Sequence, residues 1–301
     1  MLDMQHAWPV KNRRRCSTQF AIGLLGLLGL MSLAGGPVSA QSESLELGSP
    51  IILSTEAQAW LLQPMEPKVQ PKGVVLMLHG CGGMLTGSGK PIARFRDYVP
   101  RVMDHGYAVM LVDSFTLRGR REICTQAIRD RWIKVKHRAA DVERALEWLA
   151  ADARTRGLDV TLLGWSNGGS TLLEALQIVG HQPNLKKAVA FYPGCETALR
   201  NQYRTPVPLL LMTGKEDDWT PAAPCRTWAA LHASHVDYVE YEGAYHGFDS
   251  VSPLRVRKDV PGGVNPGQGV TVGANPAARE DSQQRLFGFL GRTQELHAIG
   301  R

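Results

Sequence analysis

Gly164-Trp165-Ser166-Asn167-Gly168 sets a serine between two glycines, with the apolar run Val160-Thr161-Leu162-Leu163 before it and helical spacing from Gly169 after it. A strand–turn–helix of this kind lifts the serine hydroxyl above a sheet edge, because small residues two before and two after it let the turn close. The helix N-terminus behind the serine favours developing negative charge. A serine hydroxyl is a weak nucleophile until a base takes its proton, and two later segments offer the partners. Thr213-Gly214-Lys215-Glu216-Asp217-Asp218-Trp219 puts carboxylates after one apolar run, and Glu242-Gly243-Ala244-Tyr245-His246-Gly247-Phe248 puts an imidazole after the next. The chain order Ser166, Asp217, His246 is the one such a turn demands for acyl transfer. Asp217, three residues past Gly214, is the chosen acid, with Asp218 as the alternative. His105, His137, His232 and His235 lie in or near predicted helices, away from strand ends, and are read as surface histidines.

Acyl transfer also needs hydrogen-bond donors for an oxyanion, and losing one can cost about 3 kcal/mol of transition-state stabilisation. One predicted donor is the backbone N–H of Asn167, next to the serine. The other is that of Cys81, in His79-Gly80-Cys81-Gly82-Gly83, whose glycines allow close backbone approach. His79 is expected to shape this loop rather than to act as a base. Arg118-Gly119-Arg120-Arg121 should lie on the same rim, where the fork of Arg118 could take a substrate carboxylate; a solvated loop is the other reading. The chain has no CxxC or HExxH spacing, so no metal is expected.

These residues must be positioned by an alternation of strands and helices. Pro50 to Leu62 suggests an antiparallel edge hairpin. Gly73 to Leu78, Tyr107 to Val112, Val160 to Leu163, Lys187 to Tyr192, Val207 to Met212 and Val236 to Tyr241 are short apolar or strand-forming runs. The continuous apolar character of Gly73 to Leu78 fits a strand buried on both faces. Helical spacing falls at about Ile92–His105, Trp132–Ala151, Gly169–Val179, Pro221–His235 (opened by its proline) and Ala277–Leu290. The pattern predicts an α/β domain with a mainly parallel central sheet and helices on both faces. Between Gly194 and Val207 there is no room for a large cap domain, so the site should be open. Lys258 to Asn275, rich in Gly, Val and Pro, is read as a surface loop.

Taken together, His79-Gly80-Cys81-Gly82-Gly83, Asp113-Ser114-Phe115, Gly164-Trp165-Ser166-Asn167-Gly168, Gly214-Lys215-Glu216-Asp217 and Tyr245-His246-Gly247-Phe248 resemble the dienelactone hydrolase family of the α/β-hydrolases. The likeness spans about Gly73 to Arg292. It implies the α/β-hydrolase fold and a cofactor-free hydrolase of esters or lactones, with its triad on Ser166, Asp217 and His246. The namesake enzymes carry a cysteine at the elbow, where this chain has Ser166.

The first forty residues have the pattern of a secretory leader: basic Lys11, Arg13, Arg14 and Arg15, an apolar run from Phe20 to Ala34, then Pro37-Val38-Ser39-Ala40. As a membrane span the run is short of the roughly 20 residues required. Cleavage after Ala40 would leave residues 41–301 as one domain, periplasmic or secreted, without stable membrane association. Four of the 34 Lys/Arg and one of the 28 Asp/Glu lie in the leader, so 30 basic and 27 acidic residues remain. Without a concentrated basic patch, nucleic acid is not an expected partner; a small ester or lactone is. Four cysteines remain after Cys16, an even number suited to an oxidising compartment. Cys81–Cys124 and Cys195–Cys225 are the favoured pairs, since each would join neighbouring strand ends; free thiols stay open. A peptidase of the same fold and an idle binding protein are the competing functions.

Overall fold

The computed structural model describes residues 45–64 and 70–292, so the expected leader lies outside the described residues. The chain builds an eight-stranded sheet in the order β1-β2-β4-β3-β5-β6-β7-β8. β1 (Ile51–Ile52) and β2 (Gln58–Leu62) form the antiparallel edge hairpin, and β2 runs antiparallel to β4 (Ala108–Asp113). From β4 through β3 (Val74–Leu78), β5 (Val160–Trp165), β6 (Leu185–Phe191), β7 (Leu209–Gly214) and β8 (Val236–Tyr241) every pairing is parallel.

The two-residue alternation of strand side chains divides the core in two. Val74, Leu76 and Leu78 of β3 pack on the face covered by α2 (Val135–Ala151), α3 (Asn167–Val179) and α5 (Ala222–Ala230). Val75 and Met77 pack on the other, against α1 (Ala93–Asp104) and α6 (Pro276–Gly291). Each such strand residue, buried whichever way it points, contributes about 1.5–3 kcal/mol on leaving water. That is why these strands read as continuous apolar runs.

The chain between β6 and β7 holds only the short helix α4 (Glu196–Arg200), and among the described residues no large cap covers the sheet's carboxyl edge. Two expectations need correction. Helix α5 ends at Ala230 rather than His235, where the His232 ring bonds back to the Trp228 carbonyl. The supposed loop after Lys258 contains β10 (Val270–Val272), paired antiparallel with β9 (Arg255–Arg257) as a small ribbon. Strands of three residues, β10 set between Gly269 and Gly273, leave no alternation to read.

Both favoured disulfides form: Cys81–Cys124 joins the loops after β3 and β4, and Cys195–Cys225 ties the end of β6 to α5. Closing loops of 43 and 30 residues, each removes about 3–4 kcal/mol of chain entropy from the unfolded state. Among the described residues no helix is long and apolar enough to cross a membrane.

Candidate active site

Ser166 sits between β5 and α3 with φ 54° and ψ −121°. A non-glycine residue there costs about 1–3 kcal/mol and persists only when its surroundings fix it. Its amide donates to the Phe191 carbonyl at 2.9 Å. The flanking glycines are required by contact: a Cβ on Gly164 would lie 2.5 Å from the Gly168 carbonyl oxygen, and one on Gly168 would lie 2.2 Å from that of Leu78.

His246 follows β8, and its Nε2 lies 2.9 Å from Ser166 Oγ. Its Nδ1 lies 2.8 Å from Asp217 Oδ2, in the loop after β7. With the carboxylate accepting from Nδ1–H, Nε2 is left to accept from the serine hydroxyl. Asp217 is held by the amides of Trp219 (2.9 Å) and Thr220 (2.8 Å), both donating to Oδ1. Thr220 Oγ1 adds a contact of 3.1 Å to Oδ2. All three side chains are buried. The neighbouring carboxylate is used differently. Asp218 accepts from the Thr271 amide and hydroxyl, both at 2.8 Å, and so anchors β10. From there Val272 bridges to His246, and the Gly273 amide donates to the His246 carbonyl at 3.0 Å.

The amides of Cys81 and Asn167 have no hydrogen-bond partner among the described residues, the latter because the first turn of a helix has none to offer. The two loops that carry them are joined from below by Arg138. This arginine is fully buried, donating through Nη2 to the His79 carbonyl at 2.7 Å and through Nη1 to the Asn167 side-chain oxygen. Its guanidinium lies over the Phe115 ring, 5.0 Å from the centroid. Burial pulls its pKa down to about 9. His79, also fully buried, donates from Nδ1 to the Gly80 carbonyl and accepts at Nε2 from the Ser114 amide. Burial first, and then the charge of Arg138, push it down to about 3. It is neutral and shapes the loop, as expected. Motif spacing does not single out Arg138, although its distance from Val135 and Val142 sets a charge on the apolar stripe of α2.

A second buried centre is likewise absent from the motifs. Asp249, three residues past His246, accepts from Arg94, the Tyr98 hydroxyl (2.9 Å), Trp165 Nε1 (3.0 Å) and the Tyr192 hydroxyl (2.6 Å). Burial would raise this carboxyl, but the Arg94 charge and these donors hold it below its usual value. The loop of His246 is thereby clamped to the strand that delivers Ser166.

Arg118 is a correction. Its guanidinium is buried and takes Asp141 with both nitrogens (2.6 and 3.0 Å), the Ser114 carbonyl and Glu56. The fork does grip a carboxylate, but one supplied by α2, and Arg118 does not line the cleft. Two hollows of about 230 and 440 Å3 meet at Ser166. Among the described residues no group of three or more His, Cys, Asp or Glu side chains could hold a metal ion.

Solved structures share this fold at low identity. The dienelactone hydrolase of Anabaena variabilis is similar over 82% of this chain and 98% of its own, at 19% identity and a TM-score of 0.55. A dienelactone hydrolase-like promiscuous phosphotriesterase, P91, from metagenomic libraries covers 80% of this chain and 95% of its own, at 18% identity and a TM-score of 0.56. The thermophilic esterase Est2 of Thermogutta terrifontis covers 80% and 90%, at 17% identity and a TM-score of 0.53. These likenesses show the α/β-hydrolase fold. No curated protein matches the chain in sequence. The sequence does match the dienelactone hydrolase family over residues 58–294, a stretch holding every strand from β2 to β10 together with Ser166, Asp217 and His246, and the chain belongs to that family.

Proposed function

We propose that this hydrolase cleaves carboxylic esters or lactones through an acyl-enzyme on Ser166. The observation that carries the reading is the unbroken line from Ser166 Oγ through His246 to Asp217, beside two unpartnered amides. His246 takes the hydroxyl proton as Ser166 attacks the carbonyl carbon, and the carbonyl oxygen gains charge against the amides of Cys81 and Asn167. His246 then returns the proton to the leaving oxygen. A water molecule, deprotonated by the same imidazole, attacks the acyl-enzyme and frees the acid. Asp217 keeps the ring in the tautomer that can accept from serine and stabilises its charge when protonated. The two disulfides support a periplasmic or secreted setting, since such bonds persist in oxidising compartments. The expected test result is one fluorophosphonate adduct per chain on Ser166 by intact mass, absent from Ser166→Ala. An unlabelled native protein would remove the serine from the mechanism.

A further inference from the structure

We propose that the cleft sorts its substrate across Ser166, with a bulky apolar acyl group in the larger hollow and a small alcohol leaving through the smaller one. This deepens the acyl-enzyme reading above and rests on it.

Cys81, Ser166 and Trp219 line both hollows, so the two meet at the reacting centre. They differ in what else they present there. His246 lines only the smaller hollow, and Asn167 only the larger. In acyl transfer the proton that releases the alcohol comes from the imidazole Nε2. The leaving oxygen must therefore lie on the His246 side, and the alcohol extends into the smaller hollow. Once the carbonyl carbon is bonded to Ser166 Oγ and its oxygen faces the two amides, the acyl substituent takes the remaining direction. That direction, away from the imidazole, is the larger hollow.

The linings agree with the assignment. Ile133, Val135, Leu173, Ala198 and Val264 give the larger hollow apolar walls. Of the four charged side chains there, three are already engaged: Glu174 accepts from the Tyr203 hydroxyl, Lys134 Nζ donates to the Ile128 carbonyl at 3.3 Å, and Arg131 donates to the Gln126 and Cys124 carbonyls; the fourth, Glu196, is exposed to solvent. Its volume, about 440 Å3, suits a ring-bearing acid such as benzoate. The smaller hollow, about 230 Å3, is lined by Arg94, Arg255 and Arg257 and by no carboxylate. Arg94 is held by Asp249, and Arg257 pairs with Asp259 while lying over Trp219. A small neutral or anionic alcohol fits there, and a quaternary ammonium alcohol does not.

The test places tryptophan at the mouth of each hollow. Val264 and Ile128 are exposed and line the larger hollow. A Cβ on neighbouring Gly262 would lie only 3.8 Å from Ile128, so a ring at either position closes the opening. Val264→Trp, and independently Ile128→Trp, should lower the ratio of kcat/KM for vinyl benzoate over vinyl acetate by about tenfold or more. Their ratio for benzyl acetate over methyl acetate should stay within about twofold of the parent's, since methylene-scale discrimination arises where the group is bound. Arg255→Trp should do the reverse, lowering the benzyl-to-methyl ratio and sparing the benzoate-to-acetate ratio. If the larger-hollow variants shift only the alcohol ratio, or neither ratio moves, the sorting is overturned while serine-dependent hydrolysis stands. If the parent protein cleaves none of these esters, or cleaves them equally well as Ser166→Ala, the acyl-enzyme reading falls and the sorting falls with it.

Discussion

Arg138 carries a charge into the protein interior and gives its donors to two neutral oxygens rather than to a carboxylate. Those oxygens belong to the residues beside the two amides proposed to bind the oxyanion, His79 before Gly80-Cys81 and Asn167 itself. Arg138→Met, which keeps the stem and removes both bonds, should lower kcat about tenfold to a hundredfold, because an abandoned buried acceptor costs about 1–3 kcal/mol. KM for a small acetate ester should change little, and Arg138→Lys should recover part of the loss. An equal rise in KM with kcat intact would show that the arginine shapes binding instead. The contrast with Ser166 explains what local sequence can reveal. Ser166, Asp217 and His246 each stand at the end of a strand, so local pattern locates them. Arg138 and Asp249 find partners from other elements, and only an interruption of the α2 stripe marks the first. Arg118 fails as a substrate ligand for the same reason: its partner Asp141 sits 23 residues away on a helix face that the local sequence of Arg118 does not reveal.

At the scale of elements, the strands legible as apolar runs are those packed on both faces, where continuous burial leaves its mark on every residue. The ribbon of β9 and β10 lacks that mark, yet it braces the site. Asp218 is its anchor through two bonds to Thr271, and β10 in turn holds the backbone of His246. Asp218→Ala would strand the Thr271 amide and hydroxyl at a cost of about 1–3 kcal/mol. The expected result is a lower thermal midpoint and a severalfold loss of kcat, while fluorophosphonate labelling of Ser166 persists at a reduced rate. Abolished labelling in a folded Asp218→Ala protein would instead make Asp218 part of the relay. Spacing alone does not decide between the adjacent Asp217 and Asp218, since the choice depends on this ribbon, whose strands the sequence does not announce.

For the whole molecule, the buried titratable groups set how stability follows pH. His79 has an ordinary value of 6.5, and burial with Arg138 nearby takes it to about 3 in the fold. Between those values the unfolded chain binds the extra proton. The contribution is therefore complete above pH 6.5 and is lost as pH falls toward 3, by up to about 1.4 kcal/mol per unit. Asp249, held below its usual value, adds a loss of the same sign at lower pH. Urea midpoints between pH 7 and 4 should thus fall, and His79→Gln should flatten the slope; equal slopes would show that His79 does not drive the loss. The central claim is chemical, however, and one comparison tests it most directly: kcat/KM for p-nitrophenyl acetate in the native protein and in Ser166→Ala, both shown folded by circular dichroism. An acyl-enzyme on Ser166 predicts a loss of at least about 10⁴-fold on removing the hydroxyl. Hydrolysis of equal rate in the two proteins would contradict it.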